Sequence, residues 1–115
     1  MFIRNFSEGE IIEMKKENKD NFEARMLIPK DVIGNLQVGK ITVKGPYNRY
    51  PGSAHAKWHQ FYIVTKGKAQ MYLAGKKYDI KENMVIQIPL NTNHYYKIDE
   101  GEELEYYFIN QHLSK

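Results

Sequence analysis

No cysteine occurs in the 115 residues, which excludes a disulfide scaffold, a zinc ribbon and thiol catalysis. Long apolar runs are missing as well. The longest extend over only a few residues, against the roughly 20 a helix needs to cross a bilayer, so no membrane partner is expected. The opening Met1-Phe2-Ile3-Arg4-Asn5-Phe6 offers no apolar secretory core, and a cytoplasmic protein is the simplest expectation. Charge of one sign is scarce too. Seventeen basic residues stand against 14 acidic ones, a balance of +3, and the basic runs are no longer than the pairs Lys15-Lys16 and Lys76-Lys77. That distribution describes a solvated surface rather than a phosphate-binding stripe, so no nucleic-acid partner is expected. There is no Gly-rich phosphate loop, no nucleophile elbow and no pair of carboxylates at catalytic spacing, which leaves triad hydrolases and nucleotide-binding enzymes without support.

Helical periodicity, internal repeats and low-complexity linkers are absent, and what remains is alternation. Apolar and polar residues alternate over 36–44, where Gly39 is expected to mark a bulge between two phases. Further strands are expected at 60–65, ended by Lys66-Gly67, at 84–88, stopped by Pro89, and at 94–98 and 104–109. Residues 70–73 and 77–80 flank Ala74-Gly75-Lys76 and make a hairpin. Two Pro and two Gly within 45–54 predict a stretch without regular structure. Earlier, Ile11-Ile12 and Met26-Leu27-Ile28 are short candidate strands about a polar loop at 15–21. Short strands at this spacing predict an all-β sandwich or closed barrel, and the length suits one domain over 1–115.

Three of the four histidines stand where loops become strands: His55 and His59 after the irregular stretch, His94 after Pro89. In a barrel, side chains from separate strand mouths converge, and imidazole is a common ligand of transition metals. Strand geometry limits the set. His59 and Gln60 are adjacent and point to opposite faces of a regular strand, so at most one of them reaches a central site unless a bulge intervenes. His112, three residues from the end, is expected to be a frayed surface residue.

From His55 to about Ile98 the chain resembles the cupin superfamily, small jelly-roll-like β-barrels with two short metal-site motifs. The first motif has the form His-x-His, three or four residues, Glu, six residues, Gly; here His55 matches the second His, Gln60 takes the Glu position and Gly67 the Gly. The second runs Gly, five residues, Pro-x-Gly, two residues, His, and Asn83, Pro89-Leu90-Asn91 and His94 reproduce its spacing with Asn replacing each Gly. Asn tolerates the left-handed backbone that Gly serves. Two of the four usual ligands are replaced, the first His by Ser53 and the Glu by Gln60. Some small cupins carry a third His four residues after the second, where His59 stands. The resemblance therefore implies a single cupin barrel, with its motifs within about 45–110. It also implies a divalent transition metal (Fe, Zn, Mn, Ni or Cu) held by His55 and His94 with either His59 or Gln60. Every candidate ligand is neutral, which leaves such an ion its full charge and favours an anionic partner.

The chain has 9 Tyr, 5 Phe and 1 Trp. Most are expected to be core and cross-strand filler, with Trp58 a packing anchor. Tyr62 shares the face of Gln60, and Tyr96 that of His94; both are candidate cavity hydroxyls and candidate catalytic acids or bases should their pKa be lowered. Tyr47, Arg49 and Tyr50 lie on the loop that can cover the mouth, where Arg49 can meet a carboxylate or phosphate. Two functions follow. One is a metal-dependent enzyme acting on a small polar or anionic molecule, an oxygenase, isomerase or lyase in the range the resemblance implies. The other is a non-catalytic module that binds or senses a small ligand through a degenerate metal site. A small barrel with an irregular N-terminal part leaves an edge strand, so a homodimer formed through roughly the first 45 residues is expected.

Overall fold

The computed structural model describes residues 2–12 and 21–113. A 3₁₀ turn at Phe6–Glu8 precedes the strands β1 Glu10–Ile11, β2 Phe22–Ile28, β3 Leu36–Lys44, β4 Tyr47–Asn48, β5 Trp58–Leu73, β6 Lys76–Lys81, β7 Val85–Ile88, β8 His94–Ile98 and β9 Glu103–His112. Every strand pairing among the described residues is antiparallel. The order is β1-β2-β3-β9-β5-β8-β4, with β6 and β7 also paired to β5. β5 is the shared element: its first half pairs with β9 and β7, its second with β6 and β8. Through it the sheet curls on itself, and the expected all-β barrel is the fold observed.

The sixteen residues of β5 replace the two separate strands expected at 60–65 and 70–73. Lys66-Gly67 does not end the strand; it carries a bulge. The register with β9 slips between Val64 and Lys66, so Thr65 is the extra residue, and its hydroxyl donates to the Glu105 carbonyl at 3.1 Å. The slip flips the inward phase. Gln60, Tyr62 and Val64 face the core before it, Ala69 and Met71 after it. A second slip lies in β2 between Met26 and Ile28; Met26 packs against the core and Leu27 is buried beside Gly9. The bulge expected at Gly39 is thus on the strand opposite. Gly39 itself is bare because a Cβ there would sit 2.2 Å from the Phe108 ring.

One other segment departs from the sequence reading, and two follow it. Within 45–54, Tyr47–Asn48 forms a short strand against Lys97 and Ile98. Burial of the Tyr47 ring against Phe22 and Tyr96 fixes it despite the flanking prolines. The N-terminal candidates at 11–12 and 26–28 are the short β1 and a longer β2, while the loop expected at 15–21 lies, Asn21 aside, outside the described residues. The hairpin at 70–80 forms as expected around a two-residue turn, Ala74-Gly75, with both residues at positive φ. No helix among the described residues is long and apolar enough to cross a membrane.

The core fills the inside of the curl. Val43, Met71 and Leu104 are completely buried, each such side chain worth roughly 1.5–3 kcal/mol of transfer free energy. Gly67 has φ +85°, and a Cβ there would lie 1.8 Å from the Glu103 carbonyl oxygen; Gly75 has φ +82° with open space around it. Backbone strain alone costs about 1–2 kcal/mol, so Gly75→Ala should lower stability by about 1 kcal/mol and Gly67→Ala, which adds overpacking, by about 3 kcal/mol or more. Urea unfolding of the two variants checks the difference.

Candidate functional site

Two turns in left-handed backbone bring the second motif round. Asn83 and Asn91 have φ +71° and +59°, the conformation that Gly would supply at those positions. The turn at Asn91 delivers His94 to the start of β8, where main-chain bonds clip it to the loop that carries His55. Ser53 and His94 exchange amide-to-carbonyl bonds of 3.2 and 2.9 Å, and the Asn91 amide donates to the His55 carbonyl at 2.9 Å. The Asn93 side-chain amide adds a bond to the Pro51 carbonyl at 3.0 Å. This clip sets the imidazoles of His55 and His94 4.9 Å apart, centroid to centroid, and inclined at 64°.

The His94 ring is buried, and its Nδ1 lies 3.1 Å from the Thr92 carbonyl oxygen. A carbonyl only accepts, so Nδ1 carries the proton and Nε2 keeps its lone pair. The His55 ring stacks on Trp58 at 4.4 Å and 25°. Burial lowers the pKa of both imidazoles from the ordinary 6.5, with the neighbouring His94 adding to the effect at His55. Both are therefore neutral at pH 7.

Strand alternation separates the two alternatives for a third ligand. Gln60 turns inward and His59 outward. The Gln60 side chain is only 8% exposed, and its Nε2 donates to Asn110 Oδ1 across the β5–β9 pair at 2.8 Å. Its Oε1 is buried without a partner, as is Trp58 Nε1 two residues earlier on the same face. A buried unpaired acceptor costs about 1–3 kcal/mol, a cost that an occupant able to donate to it would remove. His59 pairs with Gln111 on β9 and lines a separate open cleft beside Ile33, Asn35 and Leu36. The structure thus brings His55, Gln60 and His94 to one cavity and does not bring His59 there.

That cavity has a volume of about 170 Å³. Tyr62 and Tyr96 line it, as the shared-face argument expects, and Tyr47 and Tyr106 join them. The Tyr96 and Tyr106 hydroxyls are 2.7 Å apart, and the Tyr62 ring lies 4.4 Å from that of Tyr106. Burial pushes the Tyr62 phenol up to about 12 and holds those of Tyr96 and Tyr106 well above 10. The lowered pKa that a phenolate base requires is not found. These phenols are hydrogen-bond donors and acceptors fixed in place. Arg49 lines the cavity too, 3.5 Å from the Tyr47 hydroxyl to which it donates. Among the described residues it brings the one formal charge to a lining that is otherwise neutral.

Sequence reasoning missed Tyr106 and Asn110, although both lie on the inward phase of the Leu104, Tyr106, Phe108, Asn110 alternation and were open to the same argument. It placed Tyr47 in the loop but not in the cavity wall. His112 is not frayed: its ring lies 5.1 Å from that of Trp58 and its Nε2 bonds Gln37 Oε1. Among the described residues, no group of three or more His, Cys, Asp and Glu side chains comes together to hold a metal. Any metal here would have two imidazole nitrogens and an amide oxygen as protein donors. The donor set is chemically apt for a divalent transition ion, and its neutrality makes it weaker than one containing a carboxylate.

Comparison with known proteins adds a family and a fold. The family described as AraC-like ligand binding domain matches residues 39–115, more than half of the chain. No curated protein matches the sequence. Among solved structures, a predicted oxalate decarboxylase from Thermotoga maritima superposes with a TM-score of 0.81 at 15% identity, over 97% of this chain and 100% of its own. The polyketide cyclase RemF from Streptomyces resistomycificus gives 0.79 at 14% identity over 96% and 78%. The Streptomyces nucleoside dehydratase Pac13, whose solved forms include one with uridine, gives 0.75 at 14% over 96% and 82%. At these identities the likeness is one of fold, that of the cupin barrels.

The histidine environments carry a direct prediction. In metal-free protein, NMR titration should show His55 and His94 staying neutral to a pH below 6.5, protonating only as the pH falls further, because burial disfavours the imidazolium. A midpoint at or above 6.5 for His94 would contradict the burial described.

Proposed function

This chain belongs to the AraC-like ligand-binding domain family, of cupin type, and on that premise we propose that its cavity binds a small polar or anionic molecule beside a divalent metal held by His55, His94 and Gln60. One observation carries the reading: His55 and His94, clipped together from separate segments, share a cavity with Gln60, whose carbonyl oxygen is buried and has no partner. A metal bound there would supply a positive charge that polarises an oxygen of the bound molecule. The remaining work falls to the protein. Arg49 at the Tyr47 side draws in a carboxylate or phosphate. One of the Tyr96 and Tyr106 hydroxyls donates to the other, which leaves a single proton of that pair, with that of Tyr62, for hydrogen bonds to the bound molecule; none of the three phenols accepts its protons. His55, neutral and half-buried, would give its one free lone pair to the metal and so serves as a ligand rather than a base. That solved neighbours on this fold include a polyketide cyclase and a nucleoside dehydratase supports a small organic molecule as the substrate class.

A second reading, a non-catalytic binding module, is favoured by the neutrality of the ligand set and by the outward turn of His59. Metal analysis of untagged protein separates the two, since a bound stoichiometric transition metal supports the first. Within the metal reading, His94→Ala should reduce Zn²⁺ affinity by at least about 100-fold, because it removes the imidazole whose tautomer the Thr92 carbonyl fixes. Gln60→Glu should raise affinity by about tenfold or more, by placing a negative charge against the ion. Chelator competition measures both, and unchanged affinity in either variant places the metal elsewhere.

The same reading includes a homodimer. Its support is the position of β1 at the end of the strand order, unpaired on its other side among the described residues, and the exposed Ile63 and Val85, paired across β5 and β7 on the outer face beside Phe61. Sedimentation at micromolar concentration should give the dimer mass, and a monomer removes this part of the proposal.

A further inference from the structure

Three amide side chains stand in a row across the inner face of the sheet. Gln60 on β5 is directly opposite Asn110 on β9, and Asn110 is opposite Gln37 on β3. They are bonded head to tail. Gln60 Nε2 donates to Asn110 Oδ1 at 2.8 Å, and Asn110 Nδ2 donates to Gln37 Oε1 at 3.5 Å. The row ends at His112, whose Nε2 bonds that same Gln37 oxygen and therefore carries a proton. The other end is the unpartnered Gln60 Oε1.

A primary amide is nearly symmetric in shape, so a row of this kind has two self-consistent polarities. In one, every oxygen turns toward the cavity end; in the other, every NH₂ does. The choice cannot be made link by link, because reversing one amide sets donor against donor at its neighbour. It is made where the row ends, at His112, whose ring presents Nε2–H to Gln37 Oε1 in one tautomer and a bare Nε2 to the Gln37 NH₂ in the other; the arrangement observed is the first. With Gln37 Oε1 turned to that proton, Asn110 must present its NH₂ to Gln37 and its oxygen to Gln60. Gln60 must then use its NH₂ on Asn110 and leave its carbonyl oxygen free.

We propose that Gln37 and Asn110 are positioning residues that hold Gln60 with its carbonyl oxygen toward the cavity, so that this part of the site takes a cation or a hydrogen-bond donor and refuses an acceptor. Together with His94 Nε2, left unprotonated by the bond from Nδ1 to Thr92, it makes a pair of acceptors. The inference deepens the function proposed above and rests on that reading of the cavity. It places the choice of ligand polarity at Gln37, on a strand that supplies none of the proposed metal donors.

Gln37 is half-buried, which lets its chemistry be changed without opening the core. Gln37→Glu offers only acceptors and preserves the polarity of the row. Gln37→Lys offers only donors and reverses it, and Gln37→Met removes the end of the row with no charge. The first readout uses metal-free protein. In the wild type and in Gln37→Glu, NMR should show NOEs from the Gln60 side-chain NH₂ to the Asn110 β protons. In Gln37→Lys these should give way to NOEs from the Asn110 NH₂ to the Gln60 γ protons, and in Gln37→Met both sets should be present. The second readout is Zn²⁺ affinity in 0.5 M salt, which screens exposed charge beyond roughly 4 Å. Affinity should fall about tenfold or more in Gln37→Lys and stay within about twofold in Gln37→Glu, as expected when an outer partner reorients a ligand. NOEs that are the same in all four proteins overturn the relay. NOEs that switch as described, in a wild type that binds no Zn²⁺, uphold the relay and overturn the metal, leaving a hydrogen-bond donor as the group received.

Discussion

A strand sixteen residues long keeps its inward side toward the core on both parts of a curled sheet only if its pleat can change phase on the way, and the extra residue in β5 makes that change. Without the slip at Thr65, either Gln60, Tyr62 and Val64 or Ala69 and Met71 would face solvent. With it, the first half of β5 delivers Gln60 and Tyr62 to the cavity, and the second half delivers Ala69 and Met71 to the packed core beyond. Gly67 belongs to the same device. Its positive φ and close approach to Glu103 let β9 stay in register past the slip. The site depends on a backbone irregularity several residues from any of its side chains.

Alternation made the barrel legible, and motif spacing named His55 and His94 with either His59 or Gln60, because both are local properties of the chain. A residue's inward or outward sense is set by its immediate neighbours, so the split between His59 and Gln60 follows from their adjacency. What stayed hidden depends on pairing between distant segments. Tyr47 becomes strand only because Lys97 and Ile98 lie beside it, and Thr65 becomes a bulge only against Glu105. The amide row is of the same kind. Gln37 and Asn110 are ordinary polar residues until β3 and β9 are placed side by side, and His112 is a terminal residue until Trp58 and Gln37 close on it.

Electrostatically the cavity is quiet. Burial moves its imidazoles toward neutrality and holds its phenols protonated, two opposite shifts in pKa with one cause: neither the imidazolium nor the phenolate is well solvated there. The result is a lining of dipoles whose orientation, rather than charge, decides what enters. Orientation has to be enforced, and at His94 the structure enforces it by a bond to a group with a single possible role. The Thr92 carbonyl can only accept, and so fixes the His94 tautomer; the Tyr96 hydroxyl is tied to that of Tyr106. Arg49 stands outside this scheme as a permanent charge, suited to capture rather than to discrimination.

The clip between the His55 loop and the start of β8 is built mainly from main-chain groups of Ser53, His55, Asn91 and His94. Main-chain bonds are indifferent to what side chains hang from the residues that make them. Substitutions at the ligand positions can therefore accumulate over evolutionary time without loosening the frame that aims them. Ser53 and Gln60, standing where a metal-binding cupin would carry His and Glu, are changes such a frame tolerates. A lineage with this architecture can lose a metal, weaken it or acquire a different occupant by a few point changes, and the fold gives selection no reason to resist.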